Sequence, residues 1–227
     1  LIFLTGDMHG EMSIDKLSFK NNLWLKELTS LDYLIILGDF GLFWNRIRTK
    51  SEEYWLNWLS KQKYTILFLD GNHENFELIN SFKEIDMFGG KVGAAYSNIY
   101  HLKRGEVYTI DGYKILTIGG ALSMDRAFRI LNFSYWEEEL LSLKDIKNIE
   151  NNIIKYNHEV DYILTHTPPE VVKSQFGFFE NYGCSTAAYF NSIYKLVKFK
   201  HWYCGHMHID ETHNNVTILY DNIIELK

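Results

Sequence analysis

Proline and cysteine are both scarce in this chain of 227 residues, which holds two of each, and the prolines are adjacent at Pro168-Pro169. No Pro-rich or Gly/Ser-rich stretch divides the sequence and no internal repeat occurs, so the economical reading is one domain over residues 1–227. Cys184 and Cys204 are too few for a disulfide framework, lack Cys-x-x-Cys spacing, and fit a reducing cytosol. Long apolar runs are missing as well. The longest are strand-sized, short of the roughly 20 residues of a membrane span. No charged n-region followed by an apolar h-region opens the chain, so a cytoplasmic location is expected. The sequence starts at Leu1 rather than Met, which leaves an earlier natural N-terminus or a removed signal open. Basic charge is not in excess either: 23 Lys and Arg stand against 29 Asp and Glu, for a formal charge of −6. That balance excludes the broad basic footprint of a dedicated duplex-DNA binder.

What is present is apolar bulk: 46% of residues are hydrophobic and 16% aromatic, enough for one substantial core. Apolar runs at 1–5, 33–37, 64–69, 162–164 and 201–204 read as strands. Residues 13–28 carry Leu17, Trp24, Leu25 and Leu28 at spacings that predict one or two helical pieces, broken near Asn21-Asn22. Thr49-Lys50-Ser51-Glu52 is a capping-box pattern, followed by Trp55, Leu56 and Leu59 on a helix ending near Lys63. A helix from Asn75 to about Phe82 completes two β-α-β units, which implies parallel pairing. Further on, Asp111-Gly112 between 107–110 and 114–118 predicts a hairpin. Helices are expected from Ser142 to about Tyr156 and over 185–198, and strands over 209–213, 216–219 and 223–226. The pattern alone supports an α/β fold with added hairpins.

Directly after the five strand-like runs lie five short clusters: Asp7-Met8-His9, Gly38-Asp39, Gly71-Asn72-His73-Glu74, Thr165-His166-Thr167 and Gly205-His206-Met207-His208. Ligands at successive strand ends converge on one edge of an α/β sheet. Together the clusters offer enough oxygen and imidazole donors for two metal ions. Asp7-x-His9 and His206-x-His208 have the period of an extended chain, which predicts that each pair points one way. Gly6, Gly38, Gly71 and Gly205 each precede a candidate ligand, where close backbone approach is useful. Single pairs such as Asp-x-His are weak signals, whereas Gly-Asn-His-Glu with the other four in order is specific.

These motifs, from residue 5 to residue 208, resemble the calcineurin-like metallophosphoesterases. The resemblance implies a four-layer α/β/β/α sandwich of two mixed sheets flanked by helices. It also implies a dinuclear metal centre that hydrolyses phosphomonoesters or phosphodiesters with a metal-bridging hydroxide. In the implied ligand set, Asp39 bridges, Asp7, His9 and His208 serve one ion, and Asn72, His166 and His206 serve the other. His73 stands near the leaving-group oxygen as general acid, and Asn72 also contacts substrate. The mixed ligands suit manganese first, with iron, zinc or nickel as alternatives. The partner implied is a phosphate-ester substrate, a small molecule or nucleotide, with no membrane; no assembly state is indicated. Nuclease or cyclic-nucleotide phosphodiesterase activity is the alternative within enzymes, and a non-catalytic interaction module the alternative outside them.

The second motif departs from the protein Ser/Thr phosphatase branch. Gly38-Asp39-Phe40-Gly41-Leu42-Phe43-Trp44 lacks the Asp-Arg-Gly that supplies that branch with a partner for its histidine and a phosphate-binding arginine, so protein phosphatase activity is not expected. Among Arg46, Arg48, Arg126 and Arg129, Arg126 is the first candidate for a phosphate contact, because it follows the turn Gly119-Gly120-Ala121-Leu122-Ser123. The aromatic loop 175–183 and Trp44 admit two readings: stacking on a base or aryl group, or ordinary packing. His101, His158, His201 and His213 read as ordinary surface or hydrogen-bonded histidines. Asp70 and Glu74 are equally suited to orienting His73 and to a structural role.

Overall fold

The computed structural model describes residues 1–179 and 183–226. Its strands are β1 (Ile2–Thr5), β2 (Tyr33–Ile36), β3 (Thr65–Phe68), β4 (Lys83–Met87), β5 (Gly90–Ala94), β6 (Ile99–Leu102), β7 (Val107–Ile110), β8 (Tyr113–Ile118), β9 (Tyr162–Thr165), β10 (His201–Cys204), β11 (Glu211–His213), β12 (Val216–Ile218) and β13 (Ile223–Glu225). Among the described residues they form a seven-stranded sheet, ordered β13-β1-β2-β3-β6-β5-β4, and a six-stranded one, ordered β11-β12-β10-β9-β8-β7. Both are mixed. β1, β2, β3 and β6 run parallel, as do β8, β9, β10 and β12, while the outer strands are antiparallel.

Period-two alternation explains how the layers stack. In the first sheet Ile2, Leu4, Ile35, Leu37, Leu67 and Leu69 face one way and meet Ile115, Tyr162, Leu164 and Tyr203 of the second sheet in a shared core. Their neighbours Phe3, Leu34, Ile36, Ile66 and Phe68 face the other way, where Leu56 and Leu59 of helix α1 (Lys50–Leu59) and Ile79 of α2 (Phe76–Asn80) cover them. On the far side, Leu116, Ile118, Ile163, Trp202 and Cys204 lie under Ile149 and Ile153 of α3 (Leu143–Lys155) and Phe190 and Ile193 of α5 (Ser185–Leu196). A short α4 (Glu170–Lys173) starts after Pro169. The architecture is therefore the α/β/β/α sandwich. Each fully buried Leu or Ile in these layers contributes about 1.5–3 kcal/mol through removal of apolar area from water.

Local signals placed several boundaries well. Thr49 and Glu52 form the capping box of α1, Ser142 and Asp145 that of α3, and Asp111-Gly112 turns β7 into β8. The two helical pieces expected over 13–28, broken near Asn21-Asn22, are present as 3-10 segments at Ile14–Leu17 and Leu23–Glu27. The Asn21 and Asn22 amides donate to the Asp15 and Lys16 carbonyls and so compete with the helical ladder. The first two helices stop earlier than expected, at Leu59 and Asn80. The excursion through β4, β5 and β6 went unread: β4 is mostly exposed and polar, and β5 holds two glycines. No helix among the described residues is long and apolar enough to cross a membrane.

Candidate metal centre

Because β1, β2, β3, β9 and β10 end in one direction within each parallel set, the segments that follow them meet at one pole of the sandwich. Asp7, Asp39 and His166 are buried there, and three groups of donor atoms, Asp7–His9–His208, His9–Asp39–His73 and Asp7–Asp39–His166, each lie within 4.8 Å of one another. His9 Nε2 is 2.9 Å from His208 Nε2, and Asp7 Oδ2 is 3.7 Å from the first and 3.1 Å from the second. His9 Nδ1 is 3.6 Å from Asp39 Oδ2. On the other side, His166 Nε2 faces Asp39 Oδ1 at 3.4 Å and Asn72 Oδ1 at 3.2 Å. The His206 ring sits 5.0 Å from that of His166, centroid to centroid, and its backbone amide donates to Asp7 Oδ1 at 2.8 Å. All seven candidate ligands are thus brought together, with the His73 ring 4.8 Å from that of His9.

The paired ligands do not lie on extended chain as the spacing predicts, and the backbone shows why. His9, Asp39, His206 and His208 have φ of 47°, 49°, 67° and 52°. Left-handed backbone at non-glycine residues is sparsely populated, and it clusters where surrounding structure enforces it. Here the enforcement is explicit. The Asp39 carbonyl accepts from the Met8 and His9 amides at 3.0 and 2.7 Å, and the Asp39 side chain accepts from the His73 amide at 2.7 Å. Tight turns, not strand alternation, aim these imidazoles. Gly71 and Gly205 allow it, since a Cβ on either would collide with the carboxylate of Asp39 or Asp7 respectively.

Does this donor set fit divalent cations? His166 Nδ1 donates to the Leu37 carbonyl at 2.8 Å, which fixes the ring with Nε2 toward Asp39 and Asn72, where a cation could take the place of the Nε2 proton. The Asn72 amide is oriented by donating Nδ2 to Ser123 Oγ at 3.2 Å, leaving Oδ1 on the inner side. Asp7 Oδ2 is buried and has no partner in hydrogen-bonding geometry. Acceptors crowded this closely need a cation or proton among them. Burial opposes charge on His166, yet Asp39 and Asp7 outweigh it and hold its imidazolium up to about 10. Burial likewise works against the Asp39 carboxylate, but His166 draws that carboxyl well below the usual range. His206, buried beside charged His166, is pushed down to about 3 and keeps a free lone pair.

Several supporting groups carry no local sequence signal. Lys16 donates its ammonium to the carbonyls of Gly6, Asp7 and Tyr220, pinning the first motif to the chain end; burial brings it down to about 8 against the attraction of Asp7. Tyr220 stacks on His208 at 4.5 Å. Glu74 accepts from the Phe40 and Gly41 amides, and so holds the loop after Asp39 rather than orienting His73. Its carboxyl is pushed well above the usual range by burial and by Asp39. Asp70 binds His101 and Arg104 in a buried network, which also makes His101 an internal structural histidine.

The arginines sort differently from the expectation. Arg126 donates to the Trp136 carbonyl, lies 3.7 Å from Glu139 and covers the Tyr135 ring, contacts that direct it into its own segment. Arg129 is the one that approaches the cluster, with Nη2 3.3 Å from His73 Nε2; its Nε pairs with Asp125 at 2.7 Å. Arg46 pairs with Glu77 and Arg48 with the Tyr96 hydroxyl. In the aromatic loop, Phe176 is buried against the outer core of the second sheet and Phe179 is 82% exposed, while residues 180–182 lie outside the described residues. A cavity of about 1180 Å³ has none of the candidate ligands in its lining, and Lys91, Lys103, Lys144 and Lys147 alternate there with Glu84, Glu106, Glu137 and Glu138. It offers no one-signed field for an anion.

Carboxylates, an amide and imidazoles converging at the carboxyl ends of parallel strands define a site able to hold divalent cations. The chain belongs to the calcineurin-like phosphoesterase family, whose family model matches residues 1–210. Members of that family are generally metal-dependent phosphoester hydrolases. The chain is also similar to an uncharacterized protein of Acanthamoeba polyphaga mimivirus, 25% identical over 257 aligned positions, which take in 96% of this chain and 86% of the relative.

Proposed function

We propose that this protein is a dinuclear metal-dependent hydrolase of phosphomonoesters or phosphodiesters. The observation that carries the reading is the crowding of Asp7, Asp39, Asn72 and the imidazoles of His9, His166, His206 and His208 around a shared point, with Asp39 between the two halves. Asp7, His9 and His208 would hold one ion, Asn72, His166 and His206 the other, and Asp39 both. Two divalent ions supply charge neutralisation of the phosphoryl oxygens and an acidified water for in-line attack. Manganese is the proposed native metal, on the mixed oxygen and imidazole donor set.

The chain's own residues supply the rest. Asn72, its amide fixed by Ser123, presents its oxygen inward. His73 stands at the rim as proton donor to the departing oxygen. Arg129, not Arg126, is the guanidinium placed to meet a phosphoryl oxygen, since it already contacts His73. It supplies from the 124–135 segment a positive charge that the second motif lacks.

Metal removal tests the reading, and its pH dependence has a definite sign. Chelated protein is expected to lose hydrolysis of aryl phosphate mono- and diesters and to regain it with Mn²⁺. Because the ion-free site holds His166 protonated to about 10, an ion bound by His166 would displace one proton at neutral pH. Affinity for Mn²⁺ should rise with pH, by about tenfold per unit for one proton released. Calorimetry in buffers of different ionisation enthalpy measures that release. Full hydrolysis after complete metal removal would contradict the reading.

A further inference from the structure

A second cavity, of about 300 Å³, opens beside the metal cluster between the first-motif loop and the segment after Asp39. His9 and His73 form its inner wall and Trp44 one side. The Trp44 ring lies 6.3 Å from that of His73 and is backed edge-on by buried Trp136 at 5.4 Å. Its backbone is fixed as well. Buried Glu52 accepts from the amides of Trp44, Asn45 and Thr49 and from the Asn45 side chain, and Asn75 donates to the Trp44 carbonyl. A flat aromatic wall held from behind and below is pre-organised for a ligand, because it loses little freedom on binding.

The charge of the lining narrows the occupant. Glu52 and, at the mouth, Glu11 contribute carboxylates, and among the described residues lining the cavity there is no lysine or arginine. A second phosphate or other anionic group is disfavoured there. Resting on the phosphoesterase reading, we infer that the group esterified to the substrate's phosphate is planar, aromatic or heteroaromatic, and uncharged, and that it seats against Trp44. His73 then adjoins both this cavity and the metal cluster, where a proton donor to the ester oxygen belongs. Trp44 is a specificity-determining residue in this account.

Benzyl and propyl esters test it, because their alcohols have similar acidity and differ mainly in the ring. Kinetics with Mn²⁺ on benzyl and propyl phosphate, and on the corresponding methyl diesters, give a preference ratio in kcat/KM. We expect wild type to favour benzyl by about tenfold, the size of a well-placed aromatic contact. Trp44→Phe should keep most of that preference, while Trp44→Leu and Trp44→Ala bring the ratio close to one whatever their absolute rates. Calorimetric binding of benzylphosphonate against propylphosphonate to the Mn²⁺-loaded protein should show the same ratio without turnover. Trp44→Leu retains bulk against Trp136, so a folding defect in the alanine variant does not decide the matter. An unchanged benzyl-to-propyl ratio in Trp44→Leu, in turnover or in binding, overturns the inference. Absence of hydrolysis of all four esters, with the phosphonate preference intact and abolished by Trp44→Leu, instead overturns the hydrolase reading and leaves the aromatic seat standing.

Discussion

Replacing His73 by alanine should lower kcat on esters of poorly acidic alcohols by about 10²–10⁴-fold, the usual contribution of a positioned general acid. Esters of nitrophenol, whose leaving oxygen needs no proton, should lose far less. The contrast follows from position: His73 lies at the edge of the cluster, its ring 4.8 Å from that of His9, and its backbone is anchored on Asp39. It also lies outside the proposed ligand set, so metal content should stay intact. Its ring also has the Arg129 guanidinium within hydrogen-bonding reach. Burial pushes His73 below the ordinary imidazole range; Asp39 opposes this, and His9 and Arg129 reinforce it. Bound cations act in the same direction. The acid form is therefore lost as pH rises through a value below 6.5, and kcat/KM on alkyl esters should decline across that limb. Steady-state profiles of wild type and His73→Ala on alkyl and nitrophenyl esters check both statements. Equal losses on the two ester types would remove the acid role.

Asp70→Leu is expected to destabilise the fold by about 3–5 kcal/mol, because it takes from buried Arg104 its nearest counter-charge and leaves Asp145 at 3.5 Å. Asp70 Oδ2 receives both Nε and Nη2 of Arg104, whose other hydrogens reach the carbonyls of Leu140 and Glu138 and, at 3.5 Å, Asp145 Oδ2, and Oδ1 meets His101 Nε2 at 3.0 Å. Burial resists ionisation of Asp70, but Arg104 and then His101 hold its carboxyl well below the usual range. The sign follows: with a depressed folded value, the contribution is complete above the ordinary carboxyl range and fades as pH falls through and below it. At neutral pH it is present in full. The double variant Asp70→Leu/Arg104→Met should recover part of the loss, since no unpaired charge remains. Urea denaturation at neutral pH measures each step. The effect should also reach the metal centre, because Asp70 immediately precedes Gly71-Asn72 and its carbonyl accepts from the Gly120 amide. Stability unchanged in Asp70→Leu would show that the network carries no weight.

How legible was all this in the sequence? The meeting of the five donor clusters at one pole was, because each puts polar donors just after an apolar run, and strand ends are where such donors can gather. The helix starts at Thr49 and Ser142 and the turn at Asp111-Gly112 were local signals that the fold preserved. What escaped depends on distant partners. Lys16 meets the Tyr220 carbonyl 204 residues away, and Asp70 meets Arg104 34 residues away, neither of which spacing can reveal. The left-handed backbone at His9, Asp39, His206 and His208 escaped for the same reason, being imposed by contacts between motifs. Arg126 followed the more suggestive loop, yet packing over Tyr135 turned it inward, and Arg129, one helical turn later, took the place beside His73. Strands β4 and β5 were missed because an exposed, charged edge strand and a glycine-bearing neighbour show little apolar alternation.

Crystals grown with Mn²⁺ and measured at the manganese absorption edge bear most directly on the central claim. The account predicts two anomalous peaks about 3.5–4 Å apart, with Asp39 touching both, Asp7, His9 and His208 around one, and Asn72, His166 and His206 around the other. A single peak elsewhere, or Mn²⁺-saturated crystals with none among these side chains, would contradict it.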